Sequence, residues 1–95
     1  MEVVIEGPHF FAQEDEDRFF EWIYSLPAYE RVTGIGSKLH IVLREPVDDD
    51  TVKQLLIICR RWFIEVAPLG ALERPSNETF ALWDDGWRAR LASRT

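Results

Sequence analysis

The sequence has a single cysteine, two histidines and no long apolar run. One cysteine, Cys59, cannot form an internal disulfide, and it cannot supply the ligand set of a thiolate-rich zinc site. The first eleven residues lack the cationic start and small-residue cleavage site of a signal peptide, and no apolar stretch approaches the length of a membrane span. These absences predict a cytoplasmic protein that uses neither a membrane nor a disulfide.

Residues that commonly carry catalysis are few and scattered. His9 and His40 have no second histidine at metal-binding spacing, and no nucleophile elbow surrounds a serine. Cys59 falls on an apolar helical stripe, so we expect a buried, protonated thiol. Gly34 and Gly36 precede no helix start and therefore predict a turn rather than a phosphate loop. The sequence accordingly predicts no enzyme, no catalytic residue, no bound metal and no cofactor.

Apolar and aromatic residues, in contrast, are plentiful. Hydrophobic residues make up 46% of the 95-residue chain, which includes four Trp and six Phe. A disordered acidic chain carries far fewer of them, and this length suits one hydrophobic core rather than two. We therefore expect a single domain over residues 1–95.

The clearest pattern lies between Pro46 and Val66. Asp48 is the expected N-cap of a helix, and Val47 and Val52 occupy the two positions of a hydrophobic staple. With about 100° per residue, six residues fall on one stripe that must face a core. They are Val52, Leu55, Leu56, Cys59, Trp62 and Phe63.

The remaining patterns complete an alternating order of strands and helices. Residues 3–5 alternate as a strand, an acid-led apolar stripe before Pro27 predicts a first helix, and residues 29–35 and 39–43 predict a hairpin. The register of residues 29–35 stays open, because both faces of that strand offer apolar side chains. Residues 64–67 are expected to form a last short strand. This order predicts an α+β, ferredoxin-like βαββαβ sandwich, with an antiparallel sheet, two helices on one face and a C-terminal extension.

Charge is divided unevenly along the chain. The formal net charge is −6, yet residues 1–50 carry twelve acids and four bases. An acidic half repels nucleic acid and favours a cationic partner, although the same charge could serve solubility alone. The acids concentrate in two clusters, Glu14, Asp15, Glu16 and Asp17, and Asp48, Asp49 and Asp50. Neither cluster has the spacing of a calcium loop, so complementation of the helix dipoles is preferred over metal binding.

Both acidic clusters, together with Trp83 and Trp87, are the candidate partner-binding residues. Tryptophan near the C-terminus either packs in the core or supplies an interface hot spot. We expect the two helices to run parallel, which would bring both acidic clusters to one end of the domain. A cationic macromolecule would then bind the acidic N-terminal half.

Some of these features carry a family resemblance. They are Phe19, Phe20, Trp22, Leu26 and Pro27, residues 34–43, Pro46, Val47 and Asp48, and Arg61, Trp62, Pro68 and Leu69. Their order resembles that of small bacterial immunity proteins of the contact-dependent-inhibition and polymorphic-toxin type. The resemblance implies a non-enzymatic binder that neutralises a cognate toxin by covering a functional surface of it, and a basic toxin would suit the acidic charge.

A second hypothesis comes from a different functional class. The open face of a ferredoxin-like sheet also suits a small-molecule-binding or enzymatic domain that forms a homo-oligomer through that face. Recovery of one basic protein in a stoichiometric pull-down would favour the first hypothesis, and a retained metabolite would favour the second.

Overall fold

A computed structural model describes residues 1–86 of the chain. Three strands, β1 (Glu2–Glu6), β2 (Tyr29–Ile35) and β3 (Lys38–Leu43), form one antiparallel sheet in the order β1-β3-β2. Two helices, α1 (Gln13–Tyr24) and α2 (Asp49–Arg61), precede two short 3₁₀ helices, Ala67–Leu72 and Ala81–Trp83. Within residues 1–86 the protein is therefore α+β, as the sequence predicts, and none of its helices is long and apolar enough to cross a bilayer.

The core lies on one face of this sheet. Val3 of β1 is opposite Ile41 of β3, and both side chains are at most 3% exposed. Because side chains alternate between faces, Val4, His40 and Val42 point to the other face, where they are half-buried. The core cluster also contains the predicted apolar stripe of α1, in which Phe19 and Ile23 are fully buried.

A β-bulge resolves the register that the sequence leaves open in β2. Tyr29 is opposite Leu43 and Arg31 is opposite Val42, so the residue between them has no partner in the ladder. This extra residue shifts the alternation, and it places Tyr29 and Val32 on the core face while Arg31 points to the open face. No single alternating pattern could represent that strand.

The start of α2 matches its prediction. The Asp48 side chain accepts a hydrogen bond from the Thr51 backbone N–H (3.1 Å), and Val47 and Val52 are both buried. The buried surface of α2 is nevertheless wider than the predicted stripe, since Thr51 and Ile58 are also fully buried. These two residues lie on the flank that faces α1, where the Thr51 hydroxyl accepts a hydrogen bond from the Ala28 N–H (3.1 Å).

The end of α2 corrects one member of that stripe. The helix ends at Arg61, and Phe63 adopts a left-handed backbone with φ +58°. The Ile64 N–H bonds the Cys59 carbonyl (2.7 Å) and the Phe63 N–H bonds the Arg60 carbonyl (3.5 Å), which is a Schellman motif with Phe63 at C′. This turn swings the Phe63 side chain out of the stripe and leaves it 82% exposed. Its expected place in the core is wrong.

The predicted fourth strand does not form either. Ile64 and Val66 are buried, but residues 64–67 make no ladder with β1, and Val66 already has helical dihedrals before the 3₁₀ helix that begins at Ala67. Pro68 in the first turn favours this helical start because its fixed φ suits it and its missing N–H is not needed there. The described residues thus form a three-stranded sheet, and a complete βαββαβ layout is not observed in them.

The two helices run antiparallel rather than parallel. Trp62, after the end of α2, donates its indole N–H to Asp15 at the start of α1 (2.8 Å). Trp22, near the end of α1, donates to Gln54 in the first half of α2 (3.1 Å). Because β1 and β3 run in opposite directions, the helices that follow them are also opposed. The expectation that both acidic clusters meet at one end is therefore wrong, since they lie at opposite ends of the helix pair.

Candidate partner-binding surface

The acidic cluster at the start of α1 leaves two carboxylates outside the internal bonding of the fold. Asp15 accepts hydrogen bonds from the Phe11 N–H (3.3 Å) and the Trp62 indole, whereas Ala12 at the N-cap has no side-chain acceptor. Asp17 accepts a hydrogen bond from Gln13 (2.9 Å). Glu14 and Glu16, in contrast, have no hydrogen bond or ion pair to any residue in the range 1–86. Their charge complements the helix dipole; Glu14 is exposed and Glu16 is half-buried.

The acidic cluster at the start of α2 is used mostly by the fold itself. The Thr51 hydroxyl donates to Asp48 (2.6 Å), and this bond lowers the pKa of the Asp48 carboxyl below its usual range. Asp49 accepts a hydrogen bond from Asn77 (3.1 Å), and one of its oxygens lies 3.9 Å from the Arg74 guanidinium. Asp50 accepts a hydrogen bond from Gln54 (2.9 Å). Less of this cluster's charge is left for a partner.

Trp83 has a structural role in the C-terminal segment. Its indole N–H donates to the carbonyl oxygen of Asn77 (3.0 Å), and its ring packs against the core. Asn77 is fully buried, and its amide also bonds Leu72 and Asp49. Trp83 is thus half-buried and held by contacts inside the protein. Trp87, the other tryptophan candidate, lies outside the described residues.

Two aromatic residues that the sequence interpretation missed lie beside the α1 cluster. Phe11 is 87% exposed and Phe63 is 82% exposed. Both line a depression of about 330 Å³, which we call the aromatic depression and whose walls also include His9, Trp62 and Glu65. The sequence did contain a signal for Phe11, because this residue precedes the first helix and does not belong to its apolar stripe. For Phe63 there was none, because its exposure depends on the turn after Arg61.

A second cleft, of about 530 Å³, lies along the other flank of α2. Arg60 donates two hydrogen bonds from its guanidinium to the Leu82 carbonyl (2.8 and 3.0 Å) and pairs with Asp85 (3.2 Å), so its charge is already engaged. Cys59 lies at the bottom of this cleft. Burial raises the pKa of its thiol to about 12, against a smaller lowering by Arg60. The thiol is therefore protonated and a poor nucleophile, as expected from the stripe.

The histidines lie apart from each other. His40, on the open face of the sheet, has its Nδ1 atom 3.6 Å from a Glu2 carboxylate oxygen, whereas the His9 ring meets the Phe11 ring edge-on at 5.1 Å. Across residues 1–86, no three His, Cys, Asp or Glu side chains are grouped so as to hold a metal ion.

No protein-family model, curated protein or solved structure matches this chain. The resemblance to bacterial immunity proteins consequently stays a prediction. The functional proposal rests on the end of the molecule where α1 begins, which we call the α1 end.

Proposed function

We propose that this protein is a non-enzymatic binding protein for a cationic protein partner, which it contacts through the α1 end. The observation that supports the proposal is the coincidence of two features there. Glu14 and Glu16 have no hydrogen-bond or ion-pair partner among residues 1–86, and Phe11 and Phe63, at the same end of the molecule, are each more than four-fifths exposed. Exposed apolar side chains that lie together are typical of interaction sites, and Phe11 and Phe63 line one depression.

The two features would contribute differently to a complex. Exposed ion pairs are worth about 0–1 kcal/mol each, and screening limits their reach to about 8 Å at physiological ionic strength. The carboxylates would therefore accelerate and orient the encounter more than they hold the complex together. Buried aromatic anchors commonly contribute about 2 kcal/mol or more each, so the aromatic side chains would supply most of the affinity.

In its specific form the proposal makes the partner a basic bacterial toxin and this chain its immunity protein, as the resemblance implies. A cytoplasmic location belongs to the same proposal, and the single buried cysteine favours it. We further propose that the fold is a reduced ferredoxin-like sandwich. Strand order β1-β3-β2 with two antiparallel helices corresponds to that fold without its fourth strand.

One observation favours the alternative of a homodimer through the open sheet face. Ile35 is 59% exposed there, and Val4 and Val42 on the same face are half-buried. The same face carries the Lys38–Glu6 ion pair (2.6 Å), which breaks up its apolar area. Sedimentation equilibrium distinguishes the two, because a dimer that dissociates in Ile35→Lys would support this alternative.

The chain offers a matched pair of charge reversals to test the proposal. Asp17 and Asp50 are both exposed, and each accepts one hydrogen bond from a glutamine four residues away, but they lie at opposite ends of the helix pair. Once a partner has been captured, its association rate should be measured across a salt series. We expect Asp17→Lys to slow association several-fold at low salt and Asp50→Lys to change it little. Equal effects of the two variants, or a salt-independent rate, would contradict recognition by the α1 end.

A further inference from the structure

We infer that the aromatic depression is a socket for one arginine or lysine side chain of the partner. The inference rests on the proposed function and names the contact that would anchor it. Its basis is the meeting of exposed aromatic walls, a carboxylate rim and a strained backbone at one place.

The walls of the depression suit the stem of a long basic side chain. Phe11 and Phe63 both line it, and the His9 ring makes an edge-to-face contact with Phe11 at 76°. Pro8 and Ile64 add apolar surface. Arginine and lysine bury their methylene groups along surfaces of this kind while the charged head stays near water. A volume of about 330 Å³ is at the small end for ligand pockets and suits one side chain better than a cofactor.

The charges around the depression select a cation. Glu65 lines it and is exposed, whereas Glu6, which also lines it, is held by Lys38 at 2.6 Å. Asp15 lies directly behind, because it accepts the indole N–H of Trp62, another wall residue. A guanidinium or ammonium group would therefore find a carboxylate partner in Glu65 and aromatic faces for cation–π contact. An acidic side chain would be repelled by Glu65, and a neutral one would gain no cation–π contact.

The backbone of Phe63 points to the same conclusion. Its φ of +58° is normally occupied by glycine at the C′ position of a helix, and a bulky residue there is strained. Burial does not account for the phenylalanine, since 82% of its side chain is exposed. Strained backbone positions cluster at binding and active sites, so this strain supports a binding role for Phe63.

The test uses the full chain, labelled with ¹⁵N, and two peptides, hexa-arginine and hexa-glutamate. We expect hexa-arginine to shift the amide signals of residues 6–11 and 62–65, and hexa-glutamate to shift none of them. Phe11→Ala, Phe63→Gly and Glu65→Gln should each weaken hexa-arginine binding at least about five-fold, which corresponds to about 1 kcal/mol. Ile35→Ala, which removes an exposed aliphatic side chain on the sheet, should bind like the wild type.

Two results would overturn the socket. One is hexa-arginine binding that leaves the signals of residues 6–11 and 62–65 in place, and the other is unchanged affinity in both phenylalanine variants. If Asp17→Lys still slowed association with the captured partner, the proposed function would stand without the socket. Thermal melts of each variant accompany the titrations, so that a loss of binding is not mistaken for unfolding.

Discussion

Asp48, the N-cap of α2, is connected to the backbone of Ala28 through the side chain of Thr51. Its carboxylate accepts hydrogen bonds from both the backbone N–H and the hydroxyl of Thr51, and the same hydroxyl accepts from Ala28. These bonds favour the charged carboxylate and lower its pKa. A lowered pKa in the folded state contributes stability above the ordinary carboxyl pKa, and that stability is lost as the pH falls through the lowered value.

The first prediction follows from that sign. Asp48→Ala should lower the free energy of unfolding by about 1 kcal/mol near pH 7, because the cap is lost. The difference in this free energy between Asp48→Ala and the wild type should shrink as the pH falls below the usual aspartate range, because the wild-type carboxylate then becomes protonated. Asp48→Asn keeps an acceptor and serves as the control, with a smaller loss. Urea unfolding across pH measures all three proteins, and a difference for Asp48→Ala that did not change with pH would contradict the role of the charge.

A second prediction concerns the left-handed residue at the end of α2. Phe63→Gly should be more stable than Phe63→Ala by about 1 kcal/mol, because only glycine adopts this φ without a steric penalty. The two variants both remove the ring, so their difference isolates the backbone. Chemical denaturation gives the comparison. Equal stabilities would mean that position 63 is not held in the left-handed region.

At the scale of elements, α2 is enclosed on three sides. Its centre faces the sheet, one flank meets α1 through the Trp22–Gln54 bond, and the other meets the C-terminal segment through Arg60 and Asp49. This enclosure explains why α2 has six buried residues whereas α1 has two. It also explains why the predicted apolar stripe of α2, which assumed packing against a single surface, was narrower than the surface that is buried.

The third prediction tests that enclosure. Leu56→Ala, in the predicted stripe, and Ile58→Ala, on the α1 side, should each lower the free energy of unfolding by about 2–5 kcal/mol, because both side chains are fully buried and each change leaves a cavity. Lys53→Ala, at an exposed position of the same helix, is the control and should be nearly silent. The denaturant midpoints of the three variants are compared with that of the wild type. A silent Ile58→Ala would show that α1 does not pack on that flank.

Across the whole molecule, Cys59 reports on cooperative unfolding. It is 0% exposed, near the end of α2 and beside the chain that follows this helix. We predict slow reaction with a thiol reagent in the native protein and fast reaction in denaturant, because both the burial and the pKa of about 12 must be removed first. Leu56→Ala should accelerate the native reaction by lowering the cost of opening. Rapid labelling of the wild type without denaturant would place the thiol near solvent.

The whole molecule also decides which charges remain for recognition. Antiparallel helices separate the acidic clusters, and the C-terminal segment engages one of them through Asn77 and Arg74. The α1 cluster instead comes to lie beside Phe11 and Phe63. The candidate surface is thus assembled from segments far apart in the chain, at the end of the molecule that carries Glu14 and Glu16.

The sequence by itself determined the elements whose signals are local. The cap at Asp48, the staple of Val47 and Val52, the apolar stripe of α1 and the hairpin around Gly36 depend on hydrogen bonds and periodicity within a few residues, so they could be predicted before any partner surface was known. A helical or alternating pattern tells which side of an element is apolar. It does not tell what covers that side.

Only the tertiary structure decided the rest. The bulge in β2, the left-handed turn at Phe63, the missing ladder after Ile64 and the opposed helices all depend on how distant segments compete for the same core. Burial of Ile64 and Val66 could be achieved with or without a fourth strand, and local preference did not separate the two. The candidate surface belongs to this second group, because the exposure of Phe63 and the separation of the two acidic clusters both follow from the path of the chain around α2.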